Sequence, residues 1–148
     1  MKHNDKKGDF MLSNEASGLI KSVYAWFNQT MLSGAVLNYA DLKEYFAPNF
    51  VMQLNDEIIA KDHESLYLHF KKFKDSGATM RVKMPLDEMI VSEDYKKCIA
   101  RYHIEKITTD NSVYDIEVIA IWHINNQKKL ERMNEVVSIK EIKTKTNV

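Results

Sequence analysis

From about residue 80 onward the sequence reads as four long β-rich runs, about 80–91, 97–109, 112–124 and 128–142, separated by short polar stretches. Those stretches are Ser92–Lys96, Asp110-Asn111 and Asn125–Gln127. Asp, Asn and Ser between β-branched runs are hairpin signals, so the C-terminal half is expected to form an antiparallel meander. Helical patterns come before it, not between its strands. That order predicts an α+β fold and excludes a parallel α/β one.

The N-terminal half supplies three helices. Ser13 or Asn14 caps the first, in which Leu19, Ile20, Val23, Phe27 and Met31 recur at helical spacing and Gly34 fits the end. Asp41 opens a shorter second helix carrying Leu42, Tyr45 and Phe46, stopped by Pro48. Phe50–Leu54 and Glu57–Ala60 then form a short hairpin around Asn55-Asp56. Asp62 caps a third helix with Leu66, Phe70 and Phe73 on one face and Gly77 at its end.

With 148 residues, no Pro/Gly linker and no repeat, one domain over 13–142 is expected, between a disordered lead-in (1–12) and a tail (143–148). Lys plus Arg equals Asp plus Glu at 21 each. A formally neutral chain argues against duplex nucleic acid or an anionic membrane as partner, and it favours self-association. A single cysteine, Cys98, excludes an internal disulfide, and no Cys/His spacing suggests zinc. Without an apolar run of about 18 residues, a soluble cytoplasmic protein is expected.

Hairpin geometry assigns faces, because residues paired across an antiparallel hairpin share one. If Asp110-Asn111 is a two-residue turn, Arg101 pairs with Ala120, His103 with Val118 and Glu105 with Ile116. A turn at Asn126-Gln127 sets Val118 against Glu135 and Ala120 against Met133. One face then carries Arg101, His103, Glu105, Tyr114, Val118, Ala120, Trp122, Met133 and Glu135. The other carries Cys98, Tyr102, Ile104, Glu117, Ile119, Ile121, Arg132, Asn134 and Val136. Both mix apolar and polar groups, so composition leaves open which lies beneath the helices, and a one-residue slip exchanges them.

The order helix, helix, hairpin, helix, four strands resembles the nuclear-transport-factor-2-like superfamily, which includes SnoaL-like cyclases, ketosteroid isomerase and limonene epoxide hydrolase. The resemblance covers roughly 15–140 and rests on Glu44-Tyr45-Phe46-Ala47, the hairpin before Asp62, and Ile121-Trp122-His123-Ile124 with Leu130-Glu131-Arg132-Met133. It implies a cone-shaped, cystatin-like roll of curved antiparallel sheet, covered by three helices and enclosing one pocket. It puts the Arg101/His103/Glu135 face inside. It also makes the outer face a homodimer contact of Tyr102, Ile104, Ile119, Ile121 and Val136, with Glu117, Arg132 and Asn134 around them.

The chemistry implied is less uniform. The ketosteroid isomerase base falls at Leu54 and its protonated aspartate at Ala120, where the SnoaL-like aspartate also falls; neither mechanism carries over. The aspartate–arginine–aspartate site of limonene epoxide hydrolase maps onto His103, Arg101 and Glu135, with Tyr114 matching. Its water-holding tyrosine and asparagine, however, fall at Met52 and Leu54. What remains is an Arg–His–Glu acid/base site that needs no cofactor: Arg101 orients and stabilises charge, His103 exchanges the proton and Glu135 is its partner. Trp26, Tyr67, Glu105, Tyr114, Val118, Ala120, Trp122 and Met133 would line a pocket for a small apolar or amphipathic molecule.

Other readings stand beside this one. The same groups could be a satisfied polar network in a non-catalytic ligand-binding or protein-association module. His103 and Glu105 are too few to hold a metal. His63 reads as solvated and His69 as a candidate pocket residue. Cys98 has no evident activating partner, and Lys71, Lys72 and Lys74 read as a solvated helix face.

Overall fold

The structure is a computed structural model describing residues 13–144, with side chains over 14–142; the expected lead-in at 1–12 lies outside the described residues. Among the described residues three helices, α1 (Ser13–Thr30), α2 (Tyr39–Tyr45) and α3 (His63–Asp75), cover a seven-stranded sheet. Its strands are β1 (Phe46–Leu54), β2 (Glu57–Ala60), β3 (Thr79–Val82), β4 (Glu88–Val91), β5 (Lys97–Ile107), β6 (Ser112–Ile124) and β7 (Leu130–Thr144). The order across the sheet is β2-β1-β7-β6-β5-β3, with β4 also on β5. The architecture is the expected α+β cone. Among the described residues no helix is long and apolar enough to cross a membrane.

Several local expectations need correction. The sheet is mixed, because β1 and β7 pair in parallel. The run at 80–91 is two strands, with Lys83–Asp87 between them; Pro85 has no N–H to give to a ladder. Asn38, not Asp41, caps α2, its side chain accepting from the Ala40 N–H at 3.1 Å. That leaves the Asp41 carboxylate to receive the Trp26 indole N–H at 3.0 Å, tying α2 to α1. α2 gives way at Phe46 to a strand that contains Pro48. β7 runs past 142 to Thr144, which pairs with Ser112; 145–148 lie outside the described residues.

Three polar features seat the helices. Asp62 forms a capping box with Ser65 at the start of α3. The Asn28 amide of α1 acts as a strand edge toward β3, donating to the Val82 carbonyl at 2.9 Å and accepting the Val82 N–H at 2.7 Å. Lys74 of α3 donates to the Thr30 carbonyl at 2.7 Å, satisfying the open end of α1.

The β5–β6 connection is the correction that matters for function. The Thr108 N–H donates to the Ser112 carbonyl at 3.0 Å, and the Asn111 N–H to the Thr108 carbonyl at 2.9 Å. Asn111 has φ 67°, a conformation asparagine tolerates. The loop is therefore three residues, Thr109 to Asn111, in the turn-plus-left-handed form usual for that length. The extra residue shifts pairing by one: Arg101 faces Ile119, His103 faces Glu117 and Tyr102 faces Val118.

The β6–β7 connection also differs, but by two. Val118 pairs with Val137, Ala120 with Glu135 and Trp122 with Met133. A shift of two keeps every side chain on its face. β6 and β7 therefore keep their expected inner faces, and only β5 is inverted.

Replacing Asn28 with Ala removes both hydrogen bonds from the buried Val82 backbone. The expected cost is about 2 kcal/mol in urea unfolding, with the midpoint falling at unchanged slope. A loss below about 0.5 kcal/mol would show that the amide does not hold the edge of β3.

Candidate functional site

Side chains pointing inward from the sheet and down from α1 and α3 enclose a cavity of about 250 Å³. Its walls are largely hydrocarbon and aromatic, including Phe46, Phe50, Phe70, Val118, Trp122 and Met133. α1 contributes Val23, Trp26 and Phe27 from the stripe that its helical spacing predicted. A burial gradient gives the cavity direction. Trp122, Met133 and Val118 are buried, Phe73, Met80 and Ile104 half-buried, and Ile139 is 63% exposed at the open end.

The polar groups on this wall are few. Glu135 projects from β7 beside Ala120 and is 9% exposed. Among the described residues none gives its carboxyl an ion pair or hydrogen bond, and burial alone pushes its pKa up to about 7. Nearby, the Tyr24 oxygen accepts the Trp122 indole N–H at 2.9 Å. A hydroxyl has two acceptor positions and one proton. Accepting from the indole leaves the Tyr24 proton for another partner. Burial holds both tyrosines protonated, and the Glu135 charge acts on each in the same sense. The Tyr24 and Tyr102 rings meet edge to face with centroids 4.7 Å apart.

His69, from α3, and Lys106, from β5, complete the polar lining. Burial and the Lys72 charge lower the His69 pKa, favouring a neutral imidazole. The Lys106 ammonium lies 5.9 Å from the Phe73 ring centroid.

The expected Arg–His–Glu constellation is divided by the sheet. Glu135 is inside, whereas Arg101 and His103 are on the outer face, because β5 is inverted. There His103 Nδ1 lies 3.0 Å from Asp115 Oδ2, and Nε2 lies 3.3 Å from Asp87 Oδ2. Arg101 lies 3.5 Å from Glu88 and 3.7 Å from Asp87. Glu105 is also outside, 3.9 Å from Arg81.

The same inversion takes Tyr102 and Ile104 out of the expected dimer surface and into the cavity wall. Desolvation is the physical reason. Turning Arg101, His103 and Glu105 inward would strip three polar side chains of water in an apolar cavity, whereas Tyr102 and Ile104 gain by burial.

Of the remaining expected lining residues, Trp26, Val118, Trp122 and Met133 reach the cavity. Ala120 is fully buried beside Glu135 without lining the space. Tyr67 turns to Tyr39, ring centroids 5.3 Å apart, and Tyr114 stays half-buried against Lys106; neither lines the cavity. Cys98 is buried, and burial pushes its thiol up to about 11. His63 is not simply solvated, since its Nε2 donates to the Phe46 carbonyl at 2.8 Å. No group of His, Cys, Asp and Glu among the described residues is arranged to hold a metal.

Tyr24, Tyr102 and Lys106 were not expected at the site. Tyr24 sits four residues after Ile20 and so belongs to the α1 stripe. Tyr102 and Lys106 follow from the parity of β5, whose alternate positions Cys98, Ala100, Tyr102 and Ile104 are all non-charged.

No family model and no curated protein matches the sequence. Solved structures do match in fold. SalBIII, an epoxide hydrolase/cyclase-like enzyme with a role in pyran ring formation in the polyether salinomycin, aligns with TM-score 0.68 at 9% identity. The alignment covers 87% of this chain and 97% of that one. An NTF2-like protein from Burkholderia xenovorans aligns with TM-score 0.67 at 10% identity, covering 86% and 92%. TerC, co-crystallised with polyporic acid, aligns with TM-score 0.66 at 12% identity, covering 83% and 91%. The chain has the nuclear-transport-factor-2-like fold, as the sequence resemblance implied.

The raised Glu135 pKa carries a sign. The native state holds this proton up to about pH 7, whereas an ordinary carboxyl releases it near 4.5. Its stabilising contribution is full below the lower value and is lost as pH rises through the upper one, by about 3 kcal/mol in all. Urea unfolding between about pH 4 and pH 8 should therefore show this loss in the wild type and a correspondingly flatter profile in Glu135→Gln. Parallel profiles would refute an uncompensated buried acid.

Proposed function

We propose that this chain binds a small, mainly apolar molecule in its cavity and moves a proton on it without a cofactor. Glu135 is the acid/base group and the Tyr24 hydroxyl the neighbouring hydrogen-bond donor. One observation carries the reading: a single carboxyl, unpaired among the described residues, stands in an apolar cavity with its pKa near neutrality. A general acid or base works best with its pKa near the working pH. Structural neighbours that include an epoxide hydrolase/cyclase-like enzyme and a protein co-crystallised with polyporic acid support small-molecule chemistry on this fold.

A ketone fits the arrangement. The Glu135 carboxylate takes a proton from the carbon beside the carbonyl while Tyr24 donates to the carbonyl oxygen; the acid then returns the proton. The test is α-deuteration of 2-tetralone in D₂O, followed by NMR, with binding read from quenching of Trp26 and Trp122. The wild type should exchange at least about a hundredfold faster than Glu135→Gln.

Equal exchange by the two proteins, with quenching retained, would favour a second reading: a non-catalytic binder in which Glu135 only orients its ligand. The displacement of Arg101 and His103 to the outer face favours that reading, because it leaves Glu135 without the partners expected of it. Absence of quenching would refute both.

We further propose that the outer face of the sheet mediates homodimerisation. Ile99, Ile119 and Val136 are exposed there, and Ile121 is half-buried on the same face. Arg132 beside them donates to Asn134 at 2.9 Å and to Gln53 at 2.6 Å. This apolar centre with a polar rim has the anatomy of an interface. Sedimentation should give twice the chain mass for the wild type and the monomer mass for Ile119→Glu. A wild-type monomer at micromolar concentration would contradict the assignment.

A further inference from the structure

We propose that the cavity takes an apolar monocarboxylate, an amphipathic anion whose head group is received by Lys106 at the rim while its hydrocarbon body runs inward toward Glu135. This names a ligand class for the cavity read above and rests on that reading.

On the outer face Arg81, Lys83 and Arg101 each have a carboxylate within 4 Å. Lys106, on the inner face of the same sheet, has none among the described residues, and its ammonium stands instead over Phe73. It is half-buried and is the one cation among the described residues lining the cavity, His69 being favoured as neutral. A partly desolvated cation without a counter-ion is a receptor for an anion, and its bond to a carboxylate is charge-assisted.

Position sets the orientation of the ligand. Lys106 pairs with Tyr114 of β6, whereas Glu135 pairs with Ala120. Six residues of strand place the two stations about 20 Å apart along the sheet, less the reach of the lysine. Phe73 and Met80 lie at the Lys106 end, and Val118 and Trp122 lead to the Glu135 end. A carboxylate head would be repelled from Glu135 and drawn to Lys106, so the tail enters first. A cationic ligand would meet Lys106 at the rim, and a dicarboxylate would find no second cation among the described lining residues. The volume equals roughly eight water-sized groups, which suits a medium-length chain.

The test compares decanoate with decanol at pH 8, below their aggregation limits, with quenching of Trp26 and Trp122 as the readout. Wild type, Lys106→Met and Lys106→Arg are titrated. Decanoate should bind Lys106→Met about tenfold more weakly than wild type, recover with Lys106→Arg, and weaken with added salt. Decanol should bind all three alike. If Lys106→Met binds decanoate as wild type does, or loses both ligands equally, the head-group assignment is wrong while the cavity reading stands. If neither ligand quenches the wild type, the cavity reading fails with it.

Discussion

Side chains alternate across a strand, so the closure of one loop decides which half of β5 faces water. The three-residue reversal at Thr109–Asn111, with Asn111 in the left-handed region, aligns Tyr102 with Val118 and Arg101 with Ile119. The cavity wall, the tyrosine pair and the rim lysine on one side, and the ion-pair network on the other, follow from that alignment. Inverting it would desolvate Arg101, His103 and Glu105 while exposing Tyr102, and the opposing desolvation costs make this parity strongly preferred.

Charge is sorted between the two faces as a result. Outside, cations and carboxylates interleave within about 4 Å and neutralise one another in water, where such pairs add little stability. Inside, the wall is apolar except at a few points, and the low polarity there magnifies each of them. Trp122 donates to Tyr24 and the Tyr102 ring packs edge to face against it, fixing the Tyr24 ring and leaving its proton for another group. Glu135 receives no such support from the described residues and sits close to its neutral form. An acid held that way costs stability when it ionises, a cost retained at functional sites when the chemistry needs it.

Much of this was legible beforehand. Element order gave the α+β class, the family resemblance gave the cone, and the stripe Leu19, Ile20, Val23, Phe27 gave the inner face of α1. Turn registration together with the family resemblance put Met133, Glu135 and Val137 on the inner face of β7. What the sequence hid was the length of one turn. Asp110-Asn111 reads as a two-residue hairpin, yet Asp110 turns its carboxylate onto the Ser112 N–H and the Thr108 hydroxyl, lengthening the loop to three residues. The pattern of β5 held the remedy, since among its odd positions 97, 101, 103 and 105 are charged or titratable, with isoleucine only at 99 and 107. Ordinary period-two patterning outweighs a turn motif when the two disagree. The missed cap at Asn38 and the split of the 80–91 run are boundary errors that leave the site untouched.

The site depends on the state of one proton, which can be measured on the ligand-free protein. A ¹³C titration of glutamate side-chain carboxyls, with Glu135 assigned by its loss in Glu135→Gln, should show one resonance moving with a midpoint near 7. A midpoint near 4.5 would mean that Glu135 is solvated or paired, and the site described above would not exist.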